Sequence, residues 1–182
     1  MKLSWLTLLI VSLFAITILN AQKTAPKPYG AVPTQRQLNW QEMERYCFLH
    51  FTVNTFTDRE WGLGDEKESV FNPTNFKADQ IVSTVASHGF KGVILTCKHH
   101  DGFCLWPSKE ADRDWGFPWN AVTAGPYRDL IGDLFKAIRK TSVHAGMSYS
   151  LYEWYDPLWL RDRNKYVSEH MWPQMKEVIN TY

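Results

Sequence analysis

Strand-like and helix-like segments alternate along most of this sequence, and that alternation constrains the fold more than any other feature. Three short apolar segments have strand character, and each is followed by a segment whose apolar residues recur at helical spacing. A helix between two strands is the connection that parallel neighbours require. The sequence therefore predicts a parallel α/β sheet. The predicted strands are 45–51, 92–97 and 143–151, and the predicted helices are 77–88, 129–140 and one within 167–182. A long loop is predicted over 101–126, and the apolar side of the last helix is predicted to carry Met171, Met175, Val178 and Ile179.

Glycine patterning and chain length separate two versions of this fold. No glycine-rich fingerprint follows any predicted strand, which disfavours a dinucleotide-binding, doubly wound sheet. A complete (β/α)8 barrel needs around 250 residues, whereas this chain has 182. We therefore predict the N-terminal portion of a (β/α)8 TIM-like barrel, truncated after about three strand–helix units.

The first 36 residues have a different character. An early lysine, a nearly uninterrupted apolar stretch and a small residue at position 21 predict a signal peptide over residues 1–21, with a retained membrane anchor as the alternative. Residues 22–36 form a Pro-rich, extended leader, and 37–182 the partial barrel domain. We expect a secreted or periplasmic protein without stable membrane association after signal removal. Three cysteines, an odd number, do not predict a disulfide framework.

Composition narrows the class of ligand. A net charge of +1 with scattered basic residues gives no electrostatic footprint for nucleic acid. Aromatic residues make up 15% of the chain, and flat apolar rings beside hydrogen-bonding groups suit a pyranose. The alternative for each tryptophan is a place in the core. The tryptophans in or beside predicted loops are Trp106, Trp115, Trp119, Trp154 and Trp159.

Polar side chains follow the predicted strands. The run Lys98-His99-His100-Asp101-Gly102-Phe103 comes directly after the second strand, His50 lies at the end of the first, and Tyr149 lies near the end of the third. The carboxyl ends of parallel strands share one rim, where barrel enzymes keep their sites. Neutral imidazole both donates and accepts hydrogen bonds, so this rim is suited to gripping hydroxyl groups. Glu60 and Trp61 lie in the loop after the first strand.

Several segments together resemble the α-L-fucosidase family of retaining glycoside hydrolases, glycoside hydrolase family 29. The resemblance extends from about residue 39 to residue 182, and the double-histidine motif in its strand context is its most specific part. The segments that carry it are 48–51, 54–61, 98–103 with Trp106, 128–130 and 149–154.

The resemblance implies a (β/α)8-like catalytic domain that hydrolyses terminal α-linked L-fucose from an oligosaccharide or glycoconjugate, by a retaining double displacement and without a cofactor. The family's aspartate nucleophile and its acid/base are expected beyond Tyr182, so this chain alone is expected to be inactive. Linkage preference stays open. The family's fucose-binding roles fall on His50, Glu60, Trp61, His99 and His100, and Tyr149 is the nearest match to a tyrosine expected after the third strand.

Two other functional classes remain as alternatives. A metal-dependent barrel hydrolase would use His50, His99, His100 and Asp101 as ligands, because imidazole and carboxylate sets suit borderline metals. A noncatalytic sugar-binding protein would use the same rim without turnover. Metal analysis separates the first class from a fucosidase, and fucose binding without hydrolysis indicates the second.

Overall fold

A computed structural model of the protein describes residues 25–124 and 128–182. The chain divides into two units, Met1–Asn39 and Trp40–Tyr182. The predicted signal peptide and the first residues of the predicted leader lie outside the described residues. Within the described ranges, no helix is long and apolar enough to cross a membrane.

The larger unit contains a parallel three-stranded sheet with the order β1-β2-β3, which confirms the predicted α/β class. Its strands are β1 (Tyr46–Leu49), β2 (Gly92–Lys98) and β3 (His144–Tyr149). Short 3₁₀ turns cover Val53–Phe56 and Glu68–Val70, and a π-helical segment (Tyr166–Met171) joins the last two helices. The helices are α1 (Gln35–Glu42), α2 (Ala78–Ser87), α3 (Lys109–Trp115), α4 (Leu130–Ile138), α5 (Pro157–Arg161), α6 (Arg163–Lys165) and α7 (Trp172–Thr181).

The hydrophobic core involves one face of the sheet together with α2 and α4. Alternate residues of a strand point to opposite faces, and Val93, Leu95 and Cys97 of β2 are all fully buried. They belong to one hydrophobic cluster with the apolar faces of the two helices. Thr96 and Lys98 alternate with them and line a cleft on the other face. The sheet therefore has one face in the core and one face available for a site.

Local signals set the ends of the two core helices. The carboxylate of Asp129 accepts a hydrogen bond from the backbone N–H of Gly132 at 2.8 Å and so caps the start of α4. Helix α2 is followed by Gly89, whose φ of +74° is the left-handed conformation that commonly ends a helix. Both helices were predicted, with bounds one or two residues wider.

The pairing of β2 with β3 contains one irregularity. Thr96 lies opposite Ser148, but Lys98 lies opposite Tyr149, so β2 has one extra residue between the two pairs. Such a bulge re-aims the side chains near it. The Lys98 ammonium lies 4.1 Å from the centre of the Tyr149 ring.

Two helices lie where the sequence predicted none, one near the N-terminus and one in the middle of the chain. Helix α1 begins inside the predicted extended leader, where the backbone N–H of Thr34 donates to the Gln37 side chain at 2.7 Å. Helix α3 lies within residues 101–126, which were predicted to be a loop. The hydroxyl of Ser108 caps its start, and Gly116 ends it with a φ of +74°. Neither helix buries a stripe of apolar side chains, because α1 buries no residue and α3 buries Ala111 alone.

The last predicted helix exists, but its predicted buried face was partly wrong. Its apolar side was expected to carry Met171, Met175, Val178 and Ile179, whereas Ile179 is 60% exposed. The buried residues instead recur at every fourth position. They are Tyr166, His170, Gln174 and Val178.

Candidate functional site

A cleft of about 460 Å³ opens at the carboxyl ends of the three strands. Four predicted site residues line this cleft together, because the three strands end at the same edge of the sheet. They are His50 after β1, His99 and His100 after β2, and Tyr149 at the end of β3.

Three imidazoles form the centre of the site. The His99 ring centre lies 4.6 Å from that of His50 and 4.3 Å from that of His100. Burial, reinforced by the neighbouring imidazoles, lowers the pKa of His99 to about 4. Burial and then the Lys98 charge lower the pKa of His100 as well. His99 and His100 are therefore neutral near pH 7, and each presents both a donor and an acceptor.

Residues that follow β3 hold His100 in place. The Ser150 hydroxyl lies 2.7 Å from Nδ1 of His100, and the Tyr152 ring stacks on the imidazole at 4.5 Å with an interplanar angle of 11°. The backbone N–H of Trp154 donates to the His100 carbonyl at 3.0 Å. The orientation of the imidazole is thus fixed by a loop distant in sequence.

Trp61 lies beside this cluster. Its ring centre is 6.1 Å from that of His100 and 5.7 Å from that of Trp154, and the residue is 49% exposed. Its neighbour Glu60 is exposed, and the Glu60 carbonyl accepts a hydrogen bond from the Asn54 side chain at 2.7 Å. The structure therefore brings Trp61 beside His100, but neither Trp61 nor Glu60 is among the described residues that line the cleft.

Tyr149 contributes its ring to the cleft more than its hydroxyl. The hydroxyl donates to the side-chain oxygen of Gln174 on α7 at 2.6 Å. Burial raises the pKa of this phenol far above its ordinary value. The aromatic face of Tyr149, already under the Lys98 ammonium, is the part that lines the cleft.

A buried ionic network lies next to the cleft, and sequence reasoning missed it. Lys98 donates to the Glu153 carboxylate at 2.6 Å, and His170 lies 2.8 Å from the same oxygen. The other Glu153 oxygen accepts from the indole of Trp115 at 3.1 Å. Burial alone would raise the pKa of Glu153, but Lys98 and His170 outweigh it and lower the pKa to about 2. The available signal was a lysine ending an otherwise buried strand, since such a charge needs a partner.

His170 is held between carboxylates on both sides of its ring. Its Nε2 faces Glu153, and its Nδ1 lies 3.1 Å from Asp114 and 3.5 Å from Asp156. Burial would lower the pKa of His170, but the hydrogen bond to Glu153 outweighs it and raises the pKa. An imidazolium at this position donates at both nitrogens.

The metal-hydrolase alternative needs Asp101 beside the histidines, and the structure places its carboxyl elsewhere. Asp101 is fully buried and accepts from the backbone N–H of Phe103 at 2.7 Å. In the described ranges the side chains that converge like metal ligands are Glu153, Asp156 and His170. Their charges are already matched by the Lys98 ammonium and the hydrogen bonds of His170.

The tryptophans divide between core and site. Trp106 and Trp119 are fully buried in the hydrophobic core, so for these two the alternative of a place in the core is confirmed. Their indole N–H groups donate to Glu177 and to the Asp101 carbonyl at 3.1 and 2.9 Å. Trp154, in contrast, is 37% exposed next to Trp61.

Comparisons with known proteins agree with this geometry. The family model described as Alpha-L-fucosidase matches residues 28–182. Alpha-L-fucosidase 1 of Arabidopsis thaliana is 42% identical over 130 residues, which cover 71% of this chain and 24% of that protein. A solved structure of a putative alpha-L-fucosidase from Bacteroides ovatus is 40% identical with a TM-score of 0.63, over 70% of this chain and 21% of that one.

A second solved structure, a putative alpha-L-fucosidase from Bacteroides thetaiotaomicron, is 30% identical with a TM-score of 0.68, over 80% of this chain and 32% of that one. The chain thus spans about a quarter of the length of the curated Arabidopsis relative. The matched range includes β1, β2, β3 and the strand-end histidines. The chain belongs to the α-L-fucosidase family of glycoside hydrolases.

Proposed function

We propose that the protein is a retaining α-L-fucosidase and that residues 37–182 supply the fucose-binding rim of its (β/α)8 TIM-like catalytic domain. The observation that carries this proposal is the convergence of His50, His99 and His100 in one cleft at the ends of neighbouring parallel strands. Family membership supports the reaction. The parallel sheet with helices between its strands supports the barrel.

The chemistry of the cleft matches a neutral sugar. Sugar hydroxyls donate and accept hydrogen bonds, and neutral imidazoles do the same without the cost of desolvating a charge. The rings of Tyr149, Tyr152 and Trp61 supply apolar surface beside these polar groups. A pyranose has the same combination of polar rim and apolar face. The proposed substrate is terminal α-linked L-fucose on an oligosaccharide or glycoconjugate.

Hydrolysis with retention also needs two carboxyl groups about 5 to 5.5 Å apart. The described side chains that line the cleft are imidazole, hydroxyl, ammonium and hydrocarbon groups, without a carboxylate. The buried carboxyl groups nearby, Asp101 and Glu153, are engaged by the backbone of Phe103 and by Lys98. The proposal therefore assigns the nucleophile and the acid/base to residues outside 1–182.

The proposed cellular location follows from the sequence. A lysine followed by an apolar stretch in residues 1–21 supports export by a signal peptide and a secreted or periplasmic protein. The small net charge supports a neutral glycan ligand rather than nucleic acid.

The proposal is tested by the binding of L-fucose to the full-length protein, measured calorimetrically, together with hydrolysis of an aryl α-L-fucoside. His99→Ala and His100→Ala should each raise the activation free energy of hydrolysis, calculated from kcat/KM, by about 2 to 4 kcal/mol. Each should also weaken the binding of L-fucose. His144→Ala is the matched control, because this histidine is exposed at the opposite end of β3. Binding by folded protein that is unaffected by either cleft variant would contradict the proposal.

Chelation separates the metal-dependent alternative. If imidazoles and carboxyl groups suffice, prolonged treatment with a chelator should leave both binding and hydrolysis unchanged. Loss of activity that added zinc restores would favour a metal hydrolase instead. Fucose binding without turnover by the protein carrying the complete catalytic domain would favour a noncatalytic sugar-binding function.

A further inference from the structure

The Ser150 hydroxyl makes two short polar contacts. Its oxygen is 2.7 Å from Nδ1 of His100 and 2.6 Å from the carbonyl oxygen of Tyr152. Both distances are those of good hydrogen bonds. Ser150 directly follows β3, and its backbone N–H donates to the carbonyl of Lys98 at 3.0 Å. The serine is thereby anchored to the strand that carries the two histidines.

Counting protons assigns the direction of both bonds. A carbonyl oxygen only accepts, so the contact between Ser150 and Tyr152 requires the single hydroxyl proton of the serine. With that proton used, the serine oxygen can only accept from the imidazole. The bond to His100 therefore runs from Nδ1–H to the serine, and Nδ1 carries the proton.

The other nitrogen of His100 is then an acceptor. Burial lowers the pKa of His100, so the imidazole is neutral near pH 7 and Nε2 has no proton. The Tyr152 hydroxyl lies 3.5 Å from Nε2, beyond the usual range for an O–H hydrogen bond. Nε2 thus keeps its lone pair for a ligand.

We infer that Ser150 is a positioning residue that fixes His100 in the Nδ1–H tautomer, so that Nε2 accepts a hydrogen bond from one sugar hydroxyl. Ser150 acts through the imidazole and not through the sugar. The identity of the ligand as L-fucose rests on the proposed function, whereas the tautomer of His100 does not. The site therefore selects a hydroxyl that donates at this position over a group that only accepts.

The tautomer is tested by two-bond ¹H–¹⁵N correlation spectra of the full-length protein near pH 7, with His100→Gln used to assign the His100 signals. Wild-type protein should show the Nδ1–H pattern for His100. Ser150→Ala should move the signals toward the Nε2–H pattern, and Ser150→Thr, which keeps the hydroxyl, should restore the original one. Ser168→Ala is the control, because Ser168 is exposed and bonds to the Asn164 carbonyl. An Nε2–H pattern in wild-type protein would overturn the inference.

Binding of fluorinated sugars tests the consequence for recognition. Ser150→Ala should bind L-fucose about tenfold more weakly, the scale of one hydrogen bond, and Ser150→Thr should bind nearly as wild type. Fluorine cannot donate, so one of the 2-, 3- and 4-fluoro analogues should lose most of its affinity for wild-type protein. That loss should shrink in Ser150→Ala.

The outcomes distinguish this inference from the proposed function. Full affinity for all three fluoro analogues would show that Nε2 does not accept from the sugar and would overturn the inference. Wild-type protein with the Nδ1–H pattern but no affinity for L-fucose would support the assigned tautomer and contradict the proposed function. Equal spectra and equal affinity in wild type and Ser150→Ala would show that Ser150 does not position His100.

Discussion

Lys98 and Glu153 form an ion pair with a separation of 2.6 Å between two side chains that are both fully buried. The lysine ends β2 and the glutamate lies in the loop after β3, so the pair joins the two segments that hold His99, His100 and Ser150. Trp154, next to Glu153, also donates its backbone N–H to His100. The buried pair is therefore part of the framework of the cleft.

Removing the charge of Glu153 should strongly destabilise the protein. Glu153→Gln leaves the Lys98 ammonium buried without an anion, and loss of one partner of a buried pair costs about 3 to 5 kcal/mol. The free energy of unfolding from urea denaturation measures the effect. Asp79→Asn, which removes an exposed pair with Lys140, should cost under about 1 kcal/mol. Equal losses of unfolding free energy in the two variants would show that the buried pair stabilises the protein no more than an exposed pair does.

The Lys98–Glu153 pair should also make the free energy of unfolding depend on pH in acidic solution. Because the pKa of Glu153 in the folded protein is depressed from 4.5 to about 2, its contribution is present above pH 4.5 and is lost as the pH falls through about 2. Glu153→Gln should therefore show a weaker dependence of stability on pH in that interval. The comparison uses unfolding curves at matched ionic strength.

Asp101 should give a pH dependence of the opposite sign. Burial raises its pKa from 3.8 to about 7, so the folded protein holds this proton more tightly than the unfolded chain does. The contribution of Asp101 to stability should then fall as the pH rises from about 4 to 7, by at most roughly 4 kcal/mol. Asp101→Asn should remove this dependence, because the amide is neutral and keeps an oxygen for the Phe103 N–H.

Asp79→Asn is the control for that measurement, since the Asp79 side chain is 76% exposed beside Lys140. It should leave the dependence of stability on pH unchanged. An Asp101→Asn variant whose stability changes with pH between 4 and 7 in the same way as that of the wild type would contradict the assignment to Asp101.

Two glycines with the same backbone conformation should differ in their tolerance of a side chain. Gly102 and Gly116 have φ values of +78° and +74°. A Cβ at Gly102 would collide with the Glu153 carboxylate and lie 3.0 Å from the Trp115 indole nitrogen, whereas none of the described atoms lies within 4 Å of a Cβ at Gly116. Gly102→Ala should be more destabilising than Gly116→Ala by about 1 to 3 kcal/mol, the scale of overpacking. Equal losses in thermal or urea unfolding would show that Glu153 moves aside freely.

Fucose binding should persist into mildly acidic solution. Burial lowers the pKa of His99 to about 4, so its imidazole stays neutral well below the ordinary histidine value of 6.5. The affinity for L-fucose should be steady from pH 7 to about 5 and should fall as the pH approaches 4. Titration calorimetry measures it, with circular dichroism to verify that the protein stays folded. A decrease centred near pH 6.5 in the wild type that His99→Gln removes would show that His99 is not desolvated.

The elements with strong periodic patterns were predictable from the sequence. Helices α2 and α4 bury apolar residues at helical spacing against the sheet, and β2 is an apolar run bounded by Gly92 and by the polar motif that follows Cys97. Helices α1 and α3 were missed because they bury almost nothing. Their signals were caps, in which Thr34 pairs with Gln37 and Ser108 accepts from the Ala111 N–H.

The face of the last helix depended on contacts that no local pattern contains. Tyr166, His170 and Gln174 are buried because Glu153 and Tyr149 offer them hydrogen bonds. The π-helical segment places these residues at intervals of four, so the buried stripe departs from the apolar one. A polar residue is buried where a distant partner satisfies it, and distance in sequence hides that partner.

The sequence by itself determined the alternation of strands and helices, the family, and the grouping of His50, His99, His100 and Tyr149 at one sheet edge. The alternation depends on local periodicity, the grouping depends on the shared direction of parallel strands, and the family depends on the resemblance of the motifs at the strand ends. Only the tertiary structure decided that Asp101 turns into the protein, that Lys98 pairs with Glu153, and that Ser150 meets His100 across 50 residues. Those relationships arise because buried charges and donors need partners, and packing of the loops selects which ones they find.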